Sequence, residues 1–354
     1  MSNNSGPLTY AKSGVDLEAD SRRTERIIHE VSKTHAGTMV DNLPGGFAGG
    51  IRLPEGNQTL VACTDGVGTK TLLHSYSGTF QSAGMDVVAN NVNDLIVTGA
   101  TPVAFLDYIA MSGLSEDSVV EIVKGVSEAC RLDGLALISG ETAEMPGIYT
   151  SGHFDLAGTA IGLVSELDKF RIDEISANDV LLGLPSGGLM TNGFSLARAA
   201  LGISGEELRD KAVLQNRPSL LEGDSVGGWL TRPHPSFWNV FKQIKDLGIS
   251  IKGAAHITGG GIAGNLSRVI PTGCVGVVDV TSWRRDQIFD YIQAQGGIEL
   301  EEMYRAFNMG IGMIMALSKE DSGVALASVP ELVELGKIEQ SDKSEKVILS
   351  GVTL

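Results

Sequence analysis

The chain has 354 residues, 42% of them hydrophobic and 20% charged, the balance of a soluble globular protein too long for one compact core. Its formal net charge of −16 excludes nucleic acid and anionic membrane surfaces as partners, because both recruit basic patches. No apolar stretch approaches the roughly 18 residues of a membrane span, and the polar start Met1-Ser2-Asn3-Asn4 lacks a signal peptide's basic and apolar regions, so a cytoplasmic location is expected.

Residues 1–20 are polar and are expected to be extended or loosely ordered. A glycine-rich segment, 43–50, precedes predicted strands over 51–53 and 60–63 and the loop Thr64-Asp65-Gly66-Val67-Gly68-Thr69-Lys70. Apolar periodicity then predicts a helix over 83–98, a strand over 101–110, a helix over 115–132 capped by Ser115, and strands over 135–139 and 154–164. This alternation predicts an α/β unit. It ends at a polar connection, 168–179, which gives a first domain over 1–170 and a second over 171–354. The second continues with a strand over 180–184, helices over 192–201, 235–247 and 262–269, a strand over 274–280 and a helix over 285–293. A strand over 307–316, a helix over 319–327 and strands at 336–338 and 347–349 complete it, while the polar stretch 203–232 carries no assigned element.

The loop at 64–70 combines a carboxylate, two glycines and a lysine directly after an apolar strand. Gly66 and Gly68 let amide N–H groups approach phosphate oxygens, Asp65 is a hard oxygen donor suited to Mg²⁺, and Lys70 can neutralise phosphate as a point charge. It is not a Walker A loop, because Thr64 and Thr69 stand where that pattern needs glycines. No GxGxxG follows a strand in a dinucleotide-binding context, HExxH does not occur, and there is no GxSxG elbow.

On the helix over 83–98, Asp86, Asn90, Asn93 and Asp94 fall at i, i+4, i+7 and i+8, one face. Two readings stand: a solvated polar face, or a stripe turned toward metal or phosphate. Glu141, Glu144 and Asp155 sit at strand ends, where they are either functional or plain exposed turn residues. In the second domain, the loops Leu184–Gly193 and His256-Ile257-Thr258-Gly259-Gly260-Gly261 each join a strand to a helix and can place amides around an anion, with Arg198 and Asn265 nearby. His256 can bind phosphate, move a proton, or cap local structure. The three cysteines, Cys63, Cys130 and Cys274, form neither a CxxC pair nor a zinc spacing. Cys63 is either a nucleophile beside the loop or a small buried strand residue.

Six motifs occur in order: D-G-V-G-T-K at 65–70, V-N-D-L-I-V at 92–97, G-E-T-A-E-M-P-G at 140–147, T-N-G-F-S-L at 191–196, H-I-T-G-G-G at 256–261 and F-N-M-G-I-G-M at 307–313. From Tyr10 to the C-terminus they resemble the phosphoribosylformylglycinamidine cyclo-ligase (aminoimidazole ribonucleotide synthetase) family. The resemblance implies an α/β (α+β) fold of two domains, with first domains pairing into a β-barrel in a homodimer. It implies ATP and Mg²⁺, a small phosphorylated substrate, and ATP-dependent closure of an imidazole ring. By the same resemblance, Asp65, Asp94 and Glu141 would hold Mg²⁺–ATP, and Gly66, Gly68, Thr69 and Lys70 the phosphates. Thr191, Asn192 and Gly193 with His256, Thr258, Gly259 and Gly260 would hold the substrate's ribose-phosphate side, and Lys70, Asp94 and His256 would be catalytic. The N-terminal segment and the 45–50 glycines would close over the nucleotide.

The chain departs from the family pattern in three places. The lysine that usually follows the tyrosine is displaced to Lys12, Met190 and Thr191 stand where histidine and serine are usual, and the usual T-R-I-Y reads Thr231-Arg232-Pro233-His234. The alternatives are another phosphoryl-transfer enzyme of the same superfamily, or a nucleotide-binding regulatory protein that has lost catalysis.

Overall fold

The structure, a computed structural model, describes residues 7–352. Helix α1 (Leu17–Ser32) precedes strands β1 (Val40–Asp41), β2 (Gly49–Arg52) and β3 (Gln58–Gly66). Helices α2 (Thr71–Ser77) and α3 (Phe80–Ile96) lead into β4 (Thr101–Ser112), α4 (Glu116–Asp133), β5 (Ala136–Glu144) and β6 (His153–Ser165). The second half runs β7 (Val180–Pro185), α5 (Phe194–Leu201), α6 (Glu207–Gln215), α7 (Val226–Leu230), α8 (Trp238–Asp246), β8 (Ile251–His256) and α9 (Gly261–Leu266). It ends with β9 (Cys274–Asp279), α10 (Gln287–Gly296), α11 (Leu300–Ala306), β10 (Ile311–Leu317), α12 (Lys319–Ser328), β11 (Val333–Gln340) and β12 (Val347–Ser350).

Each half has one six-stranded sheet, ordered β1-β2-β3-β6-β4-β5 and β12-β9-β11-β7-β10-β8. Only β4–β5 and β9–β12 pair in parallel, so α+β describes the chain better than alternating α/β. In the first sheet, α3 and α4 cover one face. They cross closely because Gly84 and Gly125 stand where side chains would collide: a Cβ at Gly125 would lie 1.9 Å from the Gln81 carbonyl. The other face is open. Ile51 pairs with Leu60 across β2–β3, and Ile51, Leu60, Val103, Tyr108 and Ile138 are exposed there or at its edge.

In the second half β10 lies between β7 and β8 and is buried on both faces. One continuous core joins the halves: Val88, Val92 and Leu95 of α3 belong to the same apolar cluster as Leu184, Phe237, Phe241 and Met313. Among the described residues, no helix is long and apolar enough to cross a membrane.

Several expectations are corrected here. Helix α1 begins inside the segment expected to be loosely ordered. Residues 203–232 contain α6 and α7. β8 was not predicted, because Gly253-Ala254-Ala255 offers little strand preference; its pairing with β10 supplies the order instead. The N-terminal segment docks on the second half: the Tyr10 N–H donates to Glu302, and Tyr10 is buried in the second half's core. Lys12 donates to the Pro7 carbonyl and is exposed.

Candidate active-site cleft

Three residues of the polar stripe of α3, Asp86, Asn90 and Asn93, form the seam between the two halves, while the fourth, Asp94, reaches the cleft. Asp86 and Asn93 are fully buried, Asn90 is 1% exposed, and each is satisfied by partners from both halves or from the loop at β3. Amides suit this seam because each offers a donor and an acceptor to backbone groups that would otherwise be stranded.

Lys70 lies at the centre of that seam, 1% exposed, and its ammonium donates to Asp86 Oδ1 (2.9 Å), the Met190 carbonyl (2.8 Å) and the Arg232 carbonyl (2.7 Å). Asp86 also takes the His234 backbone N–H at 2.7 Å and contacts His74 Nε2 at 2.8 Å. Burial pushes the Lys70 and His74 pKa values down, and Asp86 opposes both shifts. Met190 adopts a left-handed backbone, φ 60, which aims its carbonyl at Lys70. The three protons of Lys70, expected at the phosphates, are committed in this structure to Asp86 and two carbonyls, and the residue ties the halves together.

At the end of β3, Asp65 is exposed in the cleft. Its Oδ1 accepts from the Gly66 N–H at 2.7 Å and its Oδ2 from Asn90 at 2.8 Å. Although open to solvent, it is crowded by the cleft walls and by Asp94, which together hold its carboxyl above the usual range. Asp94 is 15% exposed and receives His256 Nδ1 at 2.8 Å on Oδ1. Two carboxylates thus share one cleft.

Glu141 does not join them. Asp65, Gly158, Asp107 and Gly140 align across the sheet on the α3 side, whereas Glu141 aligns with Tyr108 and Ala157 on the open face. It is removed by three strand positions and by the alternation of faces. Among the described residues, no three His, Cys, Asp or Glu side chains are grouped to hold a metal by themselves. Mg²⁺, however, needs only one or two protein carboxylates when phosphates complete its shell, and Asp65 with Asp94 fits that description.

His256 is fully buried, with Nδ1 on Asp94 and Nε2 3.1 Å from Nε2 of His234. Both ring nitrogens of this residue, expected to meet substrate, are occupied in the structure, and it stands behind Asp94. His234, 2% exposed, was missed in the sequence; burial, His256 and Lys70 push its pKa well below the usual value, so it is neutral. The signal was present in Pro233-His234-Pro235, where the flanking prolines fix an extended backbone.

Gly68 and Thr69 line a cavity of about 480 Å³ with Tyr149, His153, Asp155 and Arg198. The Arg198 Nε is buried without a hydrogen-bond partner among the described residues, and burial lowers its pKa. Arg198 thus sets a cation in the cavity beside Gly68 and Thr69. Thr191 is buried and Asn192 half-buried beside it, while Asn265 gathers the Thr258, Gly259 and Gly261 carbonyls and shapes the loop after β8. The Gly45 and Gly46 carbonyls accept from Arg268, which stacks on Phe47, so the 45–50 segment is pinned against the second half. Cys63 is a buried strand residue whose thiol is pushed up by burial and by Asp94. Another cavity, about 430 Å³ and lined by Phe170, Trp238 and Phe241, lies behind the interface and contains none of these groups.

The family model described as "AIR synthase related protein, N-terminal domain" matches residues 45–164, and that for the C-terminal domain matches 176–348. A phosphoribosylformylglycinamidine cyclo-ligase of Parasynechococcus marenigrum (strain WH8102) is 37% identical over 350 residues, covering 96% of this chain and 99% of its own. The chain belongs to the phosphoribosylformylglycinamidine cyclo-ligase family. One of Myxococcus xanthus (strain DK1622) is 39% identical over 338 residues, 94% of this chain and 96% of its own. Among solved structures, AaThiL complexed with AMPPCP and TMP superposes with a TM-score of 0.62 at 15% identity, covering 93% of each chain. A thiamine-monophosphate kinase from Stenotrophomonas maltophilia K279a gives 0.59 at 18% identity, covering 92% of this chain and 95% of its own. These two share the fold.

Proposed function

We propose that the chain closes the imidazole ring of 5-aminoimidazole ribonucleotide from formylglycinamidine ribonucleotide, with ATP converted to ADP and phosphate. The carrying observation is the pair of neighbouring carboxylates Asp65 and Asp94 at the start of the 66–69 loop, in a chain matched almost end to end by cyclo-ligases. Solved structures of this fold are described with AMPPCP and with ATP, which supports nucleotide use by this chain.

An amide oxygen is a poor leaving group, and its phosphorylation makes it a good one. The amidine-side nitrogen then attacks the activated formyl carbon, the C–O bond breaks, and phosphate carries the former formyl oxygen away. This chemistry needs alignment and charge neutralisation more than a protein nucleophile. Amides of Gly68 and Thr69 with Arg198 bind phosphate, the Gly66 N–H steadies Asp65, and Asp65 and Asp94 would hold the nucleotide's Mg²⁺. Mg²⁺ bound there would neutralise charge developing on the transferred phosphoryl group. The 191–193 and 258–260 loops hold the ribose-phosphate side.

The reading also places the protein in the cytoplasm, divides it at about residue 170, and makes it a homodimer through the open sheet face bearing Ile51 and Leu60. An exposed apolar sheet face of this kind supports that assembly. Sedimentation equilibrium giving a monomer at micromolar concentration would remove the dimer.

The direct test supplies formylglycinamidine ribonucleotide with Mg-ATP and detects the aminoimidazole as a diazo dye. Dye formed only with ATP supports the reading. Nucleotide binding without dye would instead favour a regulatory protein.

A further inference from the structure

His234 and Thr191 stand at two separate departures from the family pattern, and in the structure they touch, with Nδ1 of His234 3.2 Å from Thr191 Oγ1. Backbone groups of fixed polarity assign the protons around them. The Phe237 N–H donates to Asn93 Oδ1 at 3.0 Å, and Asn93 Nδ2 donates to the Pro235 carbonyl at 3.0 Å, so that amide has one orientation. Its Nδ2 also points at His234 Nε2, 3.1 Å away, which must therefore be a lone pair. Neutral His234 then carries its proton on Nδ1 and donates it to Thr191.

The chain of bonds continues in both directions. The Thr191 hydroxyl donates to Asn90 Oδ1 at 3.0 Å, and Asn90 Nδ2 donates to Asp65 Oδ2 at 2.8 Å. On the other side, Nε2 of His256 lies 3.1 Å from the lone pair on His234 Nε2. That contact is attractive only if His256 supplies the hydrogen. The contact of its Nδ1 with Asp94 Oδ1 at 2.8 Å then needs a second hydrogen, so the Asp94–His256 pair holds one proton more than a carboxylate beside a neutral imidazole. One unbroken path thus runs Asp94, His256, His234, Thr191, Asn90, Asp65. The carboxylates at its ends belong to the first half of the chain, and the three side chains His256, His234 and Thr191 belong to the second.

We propose that His234 is a positioning residue that braces both cleft carboxylates from the second half, holding Asp94 through His256 and Asp65 through Thr191 and Asn90. The inference rests on the reading that these carboxylates serve the reaction. His234 itself is buried beneath the cleft and makes no step of the chemistry. It keeps both acids at fixed positions only while the two halves are docked, which couples assembly of the site to domain packing.

Three variants separate the ends of the brace. His234→Phe keeps a ring of similar size and removes both bonds. His234→Gln restores an acceptor near the Nε2 position, and His234→Asn restores a donor near Nδ1. Thermal melts and circular dichroism first establish that each variant is folded. His234→Phe is expected to lower kcat by about 100-fold, the scale of an ångström-sized misplacement, with KM for ATP within about threefold of the parent. His234→Gln and His234→Asn should each recover at least about tenfold of that loss.

Long-range ¹H–¹⁵N spectra of the ligand-free protein, assigned with His256→Gln, give a readout independent of turnover. They should show His256 protonated at Nε2 and His234 protonated at Nδ1 alone, with the His256 signal displaced in His234→Phe. A folded His234→Phe with parental kcat, or a parent whose His256 lacks the Nε2 proton, overturns the brace. If the parent makes no aminoimidazole at all, the ring-closure reading fails, and the spectra still decide the brace by themselves.

Discussion

Nδ1 of His256 lies 2.8 Å from Oδ1 of Asp94, a bond that crosses from the second half of the chain to the first. The histidine is fully buried and the carboxylate 15% exposed, so the acid is the member of the pair that meets the cleft. Asp94→Asn keeps the shape and keeps an oxygen acceptor for His256, but removes the negative charge. Turnover is expected to fall by about 100-fold or more while the melting temperature moves little. Steady-state assays beside a thermal melt check this, and near-normal kcat would take Asp94 out of the nucleotide site.

Lys70 makes the opposite prediction. Its ammonium is 1% exposed and satisfies the buried Asp86 together with two carbonyls of the second half. Lys70→Met leaves that carboxylate buried with less compensation, which costs about 3–5 kcal/mol of stability. Urea unfolding measures the loss. A variant with parental stability and lost ATP affinity would return Lys70 to the phosphates.

Arg198 should carry the phosphate contact instead, since its Nε is buried without a partner beside the cavity at Gly68 and Thr69. Arg198→Ala is expected to raise KM for ATP by about tenfold, the value of a charge-assisted hydrogen bond, with kcat changed far less. Unchanged KM for ATP with a raised KM for the ribonucleotide would move Arg198 to the substrate side.

Acid should weaken the seam. His234 is held neutral in the folded chain, its pKa pushed well below 6.5 by burial, His256 and Lys70. The unfolded chain therefore binds a proton at His234 that the folded chain refuses, so this contribution is complete above about pH 6.5 and shrinks as pH falls toward the folded pKa. Denaturation measured at pH 7.5 and 5.5 should show a smaller acid loss for His234→Gln than for the parent. Equal losses would mean that His234 is protonated in the folded protein.

The helix carrying Asp86, Asn90, Asn93 and Asp94 was readable from spacing alone, because a 3.6-residue period puts all four on one face. Its role was not, because the partners include the Pro235 carbonyl and the Phe237 N–H, backbone groups that leave no mark in composition. The Asp65 loop was legible for a related reason: glycines and a carboxylate at a strand end are local features. The burial of Lys70 was not legible, because it depends on Met190 and Arg232, which lie 120 and 162 residues away. Glu141 failed on geometry that only the sheet decides, since β6 and β4 separate β5 from β3 and set the row on which Glu141 falls. The Thr191–His234 contact joins two residues that stand at separate departures from the family pattern, 43 residues apart in the chain.

The central claim is that ATP activates the formyl oxygen so that phosphate can carry it away. Formylglycinamidine ribonucleotide labelled with ¹⁸O at the formyl oxygen, turned over with Mg-ATP and followed by ³¹P spectroscopy, tests it most directly. The account predicts one ¹⁸O in each phosphate released, in step with aminoimidazole formed. Unlabelled phosphate accompanying ring closure would contradict it.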